Sequence, residues 1–343
     1  PSETIGIEFS PDGAMVATSS GDGMVRVTNL TTHQAQVVPA GAEQVYAVEF
    51  SSDGRRLATS TMGARVAVWD AVSRRTITLE HGSSVEAVRF TPDGNTLITT
   101  SEDGLIRIWD LATATARTLP QPGAAALDVS PDGTSLVVGA AGRVVLWDLA
   151  HGTARTLGHH VNFDEIGDVR FLDGGHVVSR GARQARVDHA LHVWDLATGT
   201  GRIALPSQTP LVFAVSGGQI AAGGRDGVIR LVRGHEVREL RGHSRGVRAL
   251  AWSPDGRSVA SGADDGSVRL WNAETGASQI LHQHDDAVRG VAFSRDGRFV
   301  GSTSNDHTVW IGEPHPERCL ERAPAALSKR LAELSSIELV DGP

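Results

Sequence analysis

An all-β fold of eight four-stranded units is what this 343-residue sequence predicts, and three recurrences carry that prediction. A Ser/Thr-Pro-Asp-Gly turn stands at 10–13, 91–94, 130–133 and 253–256, with near copies SSDG at 51–54 and SRDG at 294–297. A tryptophan closing a short apolar run returns at Trp69, Trp109, Trp147, Trp194 and Trp271. The two signals hold a nearly fixed separation, and repetition at a period near ~40 residues marks stacked supersecondary units, as in a propeller or a solenoid.

Residues 253–272, SPDGRSVASGADDGSVRLWN, show one unit at its clearest. Pro254 presets φ for the second position of a turn, and Gly256 accepts positive φ at its end. A short strand follows. Asp265-Gly266 is then the two-residue turn whose backbone twist matches a hairpin. From Ser267 to Trp271 polar residues alternate with Val268 and Leu270, the period of a half-buried strand. With strands named a to d, the a-strands end at Phe9, Phe50, Phe90, Val129, Phe171, Val215, Trp252 and Phe293. The c-strands end at Thr28, Trp69, Trp109, Trp147, Trp194, Val232, Trp271 and Gly312. The interval between the two is 19 residues in repeats one, two, three, seven and eight, 18 in the fourth, 23 in the fifth and 17 in the sixth.

Composition agrees. Apolar residues make up 40% of the chain and glycines number 39, which suits many short strands joined by tight turns. A net charge of −8 opposes bulk attraction to nucleic acid or to anionic membranes. Cys319 is the single cysteine, so a disulfide within the chain is excluded, as is a zinc site built on several cysteines. No stretch has the length and apolarity of a membrane span, and no signal peptide is visible; a cytoplasmic setting is the expectation. The chain opens at Pro1, which suggests initiator removal or a piece of a longer protein.

These residues resemble the WD40 repeat family over about residues 1–312. The Trp-Asp pair stands at 69–70, 109–110, 147–148 and 194–195, with Trp271-Asn272 close to it. The family's tetrad is a histidine before strand a, Ser/Thr on b, Asp in the b–c turn and Trp on c. Repeat three supplies His81, Thr99, Asp103 and Trp109; repeat seven supplies His243, Ser261, Asp265 and Trp271. Repeat eight keeps His284, Ser302 and Asp306 but has Gly312 at the tryptophan position. Repeats one and six keep Asp22 and Asp226 without the histidine, repeat two has Gly63 for the Asp, and repeat four retains only Trp147. A Ser-His-Asp grouping can be a hydrolytic triad. Repeated blade after blade, it reads instead as mutual satisfaction of buried polar groups.

The resemblance implies a β-propeller of eight blades, each inner a-strand lining a central channel. One position per a-strand should face the channel mouth: Ile5, Tyr46, Glu86, Ala125, Gly167, Leu211, Arg248 and Arg289. The adjacent Arg248 and Arg289 would grip a carboxylate or phosphate. Repeat five carries two long insertions on the same face, the d–a loop with His159, His160, Asp164 and Glu165 and the b–c loop with Arg180, Arg183 and Arg186. They form either solvated loops or a binding corner. After Gly312 the pattern stops. Residues 313–343 form a tail with a helix expected at 324–335, on Leu327, Leu331 and Leu334, and a strand at 336–340 that would supply the missing fourth strand of blade eight.

No Walker loop, H-E-x-x-H or G-x-S-x-G motif occurs, so neither cofactor nor metal is expected. The function expected is non-catalytic recognition of a protein partner, or of an acidic or phosphorylated ligand, on the mouth face. By the same resemblance the propeller would be the sensor part of a larger bacterial signalling or effector protein. Two alternatives stand beside it: a propeller hydrolase or lactonase acting at the channel mouth, and a standalone assembly scaffold.

Overall fold

A computed structural model describes residues 4–40, 44–61, 63–160, 165–182, 190–206, 210–314 and 339–340. They form eight four-stranded antiparallel sheets, in each of which the strands pair in chain order. Strand a of blade one, Thr4–Phe9, packs against strand a of blade eight, Val288–Phe293, so the sheets close a ring.

The a–b turn explains why the repeats stay in register. In blade seven the Ser253 hydroxyl donates to Asp255 at 2.6 Å and accepts the Ser258 N–H at 2.9 Å, while Gly256 sits at φ 67°. Ser51 and Ser294 make the same pair of bonds in SSDG and SRDG, so serine, aspartate and glycine build this turn and the proline is dispensable.

Burial grades across each blade. In strand b five of six residues are buried in blades one, two, three, four, six and seven, which is why this strand is rich in Ala, Ser, Thr and Gly. The outermost strand is mostly exposed and anchored by one buried leucine, Leu119, Leu157 or Leu240. The core is therefore not central but lies between neighbouring blades. Val66 and Leu79 of blade two meet Val88, Phe90, Leu97 and Trp109 of blade three. Each such large apolar side chain, fully buried, contributes about 1.5–3 kcal/mol.

Blade eight compensates for its missing tryptophan. Gly312 pairs with Val300 as Trp271 pairs with Val259, so glycine does hold the tryptophan register. Trp310, two residues earlier on the same face, lays its indole over Gly312, where a Cβ would come within 2.2 Å of it. His282 stacks on that indole at 5.2 Å. The outer strand of this blade is Leu339–Val340, paired with Thr308–Val309. The helix expected at 324–335 lies outside the described residues.

Candidate functional site

Every a-strand carries a β-bulge near its start, and the bulge residue is the one expected at the channel mouth. In blade one Thr4 pairs with Ser20 and Gly6 with Ser19, leaving Ile5 out of the ladder. The same skip frees Tyr46, Glu86, Ala125, Gly167, Leu211, Arg248 and Arg289. A bulge re-aims a side chain and relieves it of pairing duty. These eight positions thus form a ring on the face of the d–a and b–c loops, beneath which the ladder stays regular.

The charge of that ring is mixed. Arg248 is already engaged: its Nε lies 2.9 Å from both oxygens of Asp264 in the b–c turn of its own blade, and Nη2 lies 2.7 Å from one of them. Among the described residues Arg289 donates only to the neutral Asn305, at 2.7 Å, and is exposed. Across the ring Glu86 meets like charge. Partial burial, then Glu102 and Glu165, push its carboxyl above the usual range. The arginine pair expected to clamp an anion is therefore one free guanidinium beside one neutralised guanidinium. Leu211 is half-buried. The side chains of Ile5 and Tyr46 fall outside what is described.

Of the corner expected from repeat five, His159, His160, Glu165 and Arg180 fall among the described residues. Arg180 lies on strand b, His176–Ala182, paired with Asp168, and not in the b–c loop. Burial lowers its pKa against the opposing pull of Asp168 and Glu165. His160 is 3% exposed and bonds Ser179 at 2.7 Å, while Trp194 Nε1 donates to the same hydroxyl at 2.7 Å. It is the tetrad histidine of blade five, not a partner contact; two insertions had hidden its spacing. His159 is exposed beside it. Arg183 and Arg186 lie outside the described residues, as does Asp164.

The tetrads differ from blade to blade. In blade seven Trp271 Nε1 donates to Ser261 Oγ at 2.7 Å, and Ser261 lies 2.7 Å from His243 Nε2. His243 Nδ1 faces Asp265 at 3.2 Å and Ser267 Oγ at 2.9 Å. Blade eight repeats this with His284, Ser302, Asp306 and, at 2.9 Å, Thr308. In blade three the carboxylate is diverted. Asp103 binds Arg107 at 2.6 Å, and His81 Nδ1 faces the Leu79 carbonyl at 3.1 Å. A carbonyl only accepts, so Nδ1 carries the proton and Nε2 accepts from Thr99 at 2.8 Å. Burial, then Arg107, lowers the His81 pKa to about 4. What selects the geometry is the residue two beyond the aspartate: Ser267 and Thr308 keep the histidine on the carboxylate, Leu105 does not. Blade four substitutes Gln121 for the histidine, accepting the Trp147 N–H at 3.0 Å. In chemical terms these are sealed units. Ser261 and Ser302 are 0% exposed, so neither hydroxyl meets a substrate. Among the described residues no three His, Cys, Asp or Glu cluster closely enough to hold a metal.

At the other end of the channel the penultimate a-strand residues gather. They are Glu8, Glu49, Arg89, Asp128 and Arg170 from blades one to five, then Ala214, Ala251 and Ala292. Inner strands expose unpaired N–H groups, and the carboxylates cap those of the neighbouring blade. Phe50 N–H donates to Glu8 at 3.0 Å, Phe90 N–H to Glu49 at 3.0 Å and Phe171 N–H to Asp128 at 2.9 Å. Sequence reading missed this arc, though its signal was plain: charge at the same half-buried position of five successive a-strands.

Comparison with known proteins gives one family. The model described as WD domain, G-beta repeat matches residues 2–29, 32–70, 73–110, 234–272 and 277–311. Nuclear distribution protein PAC1-2 of Uncinocarpus reesii is 43% identical over 60 residues, 17% of this chain and 13% of the relative. WD repeat-containing protein slp1 of Schizosaccharomyces pombe is 28% identical over 116 residues, 32% of this chain and 23% of that protein. Nuclear distribution protein PAC1 of Coccidioides posadasii is 29% identical over 127 residues, 36% of this chain and 21% of the relative. The aligned stretch spans less than a quarter of each relative. Among solved structures, a crystal structure of the computationally designed Ika8 protein matches with TM-score 0.74 and 25% identity, over 91% of this chain and 96% of that one. No helix among the described residues is long and apolar enough to cross a membrane.

Proposed function

The chain belongs to the WD40 repeat family, and from that premise we propose a non-catalytic recognition module whose protein partner docks over the bulge-ringed channel mouth. One observation carries the reading: all eight bulge residues sit in equivalent positions yet differ in chemistry, from Gly167 and Ala125 to Glu86 and Arg289. A constant frame with a variable ring is what recognition needs. The frame supplies rigidity, and Arg, Tyr and Leu on the ring supply contacts. Arg289 offers the basic feature of the mouth and Glu86, with Glu102 and Glu165, the acidic one. The preferred partner surface is thus itself bipolar. An acidic or phosphorylated group would meet Arg289, because Arg248 has its carboxylate already.

A sensor role within a larger cytoplasmic signalling protein of bacterial origin is the finer part of this proposal; the three relatives above are fungal. The full-length gene product separates that role from a standalone scaffold. The test of the docking face uses a partner isolated on the wild-type protein. Its affinity is then measured for Arg289→Glu, for Glu86→Arg and for Arg298→Glu, an exposed arginine on the opposite face. Loss with the first two and none with the third is expected. The converse pattern moves the docking surface to the other face.

A further inference from the structure

The arc of charge at the far end of the channel lines an open cavity of about 530 Å³, rimmed by the a–b turns at Ser52, Pro92 and Pro131. Its ion pairs do not balance. Arg89 lies 3.1 Å from Glu49 and 3.5 Å from Asp128. Arg170 lies 3.9 Å from Asp128 and 3.3 Å from Asp168. Each of these three carboxylates therefore has an arginine beside it. Among the described residues Glu8, at the end of the arc, makes no ion pair: one oxygen takes the Phe50 N–H at 3.0 Å, Arg89 acts on the carboxylate only at longer range, and the residue lines the cavity. Beyond Glu8 the ring continues as Ala292, Ala251 and Ala214, which leave that side open and uncharged. Ile7, Val48 and Phe50 add an apolar wall. A carboxylate desolvated without a cation in contact is costly unless a partner is supplied. Volume, wall and the one carboxylate without an arginine beside it fit a small ligand site.

We propose that this cavity binds one cationic head group, ammonium or guanidinium, on a short aliphatic stem, with Glu8 as its counter-ion. The site is separate from the mouth, at the opposite end of the channel, and does not depend on the docking reading. Burial and the neighbouring Glu49 already hold the Glu8 carboxyl well above its usual range, a stress that a bound cation relieves.

The test titrates n-butylammonium, n-butylguanidinium and, as the opposite charge, butyrate into the protein by calorimetry. Saturable binding of at least one cation and none of butyrate is expected, the tighter cation naming the head group. Glu8→Gln keeps an acceptor for the Phe50 N–H and removes the charge, so the fold should stand while the cation binds about tenfold or more weakly. Glu86→Gln, at the far mouth, should bind as the wild type does. No saturation by either cation in the millimolar range overturns the proposal. So does equal binding by Glu8→Gln with an unchanged thermal midpoint, or preferential binding of butyrate.

Discussion

Removing one methylene-linked hydroxyl, Ser261→Ala, should destabilise blade seven more than removing the whole carboxylate of Asp265. The count of partners alone suggests the opposite, since Asp265 accepts from Ser244, Ser267 and His243, whereas Ser261 is a single hydroxyl. Burial reverses the order. Ser261 Oγ serves Trp271 Nε1 and His243 Nε2, both at 2.7 Å, and its residue is 0% exposed. Its loss strands two groups where no water reaches, and a stranded buried polar group costs about 1–3 kcal/mol, so about 2–6 kcal/mol is expected. Asp265 differs: its side chain is 12% exposed, Ser244 faces solvent, and His243 Nδ1 keeps Ser267 Oγ at 2.9 Å. The Ser267 N–H is left without an acceptor, while the Ser267 hydroxyl, which also gave to Asp265 at 2.7 Å, turns to His243 Nδ1, so the cost is about 1–3 kcal/mol. Denaturant unfolding with an unchanged m-value, together with hydrogen exchange of blade seven amides, reads both variants. If Ser261→Ala costs less than Asp265→Ala, the hydroxyl is not the hub of the tetrad and the argument fails.

Three further outcomes follow from the same geometry. The His81 pKa lies near 4 folded against 6.5 for a free imidazole, so the folded state holds fewer protons between those values; its stability contribution is whole above pH 6.5 and is lost as pH falls through that window. His81→Gln, which copies Gln121 of blade four, should flatten the fall in denaturant midpoint from pH 6.5 to 4, and an unchanged slope would count against a neutral buried imidazole. Gly312→Ala places a Cβ 2.2 Å from the Trp310 indole and should cost about 1–3 kcal/mol, read from the thermal midpoint; a neutral result would mean the indole is free to move. Truncation after residue 314 removes Leu339–Val340 from the edge of blade eight, and should lower the midpoint and promote concentration-dependent association, visible by light scattering.

The repeat was legible because its signals are local. Ser, Asp and Gly in the a–b turn satisfy each other within six residues, from Ser253 to Ser258, so one turn reveals the unit wherever it stands. The mouth ring was legible for a related reason, since counting along an a-strand finds the bulge residue. What those residues touch was not legible. Arg248 looked free because its partner, Asp264, sits across a hairpin and resembles any turn aspartate. Arg180 was read as loop because the strand of blade five runs longer than its neighbours, through Ala182. His160 and Gln121 were missed as tetrad members, one by shifted spacing and the other by a change of residue type. The arc from Glu8 to Arg170 needs neighbouring blades to be placed side by side, which no single repeat encodes.

The apolar seam between the ends of the ring bears on how fast the molecule forms. Within blades one to seven every pairing joins strands adjacent in sequence, so each of these sheets is a chain of hairpins. Phe9 and Val16 of blade one meet Val309 and Ile311 of blade eight only when nearly the whole described chain has been brought round. Closing so long a loop costs entropy, a cost that grows only slowly with length, but it delays the reward until the other blades stand. Closure should therefore be the slow and late event of folding, and opening of this seam an early one in unfolding. A circular permutant cut between two other blades would carry the same native contacts, yet it would move that slow step elsewhere. The seam is thus a property of where the chain is cut, not of the ring.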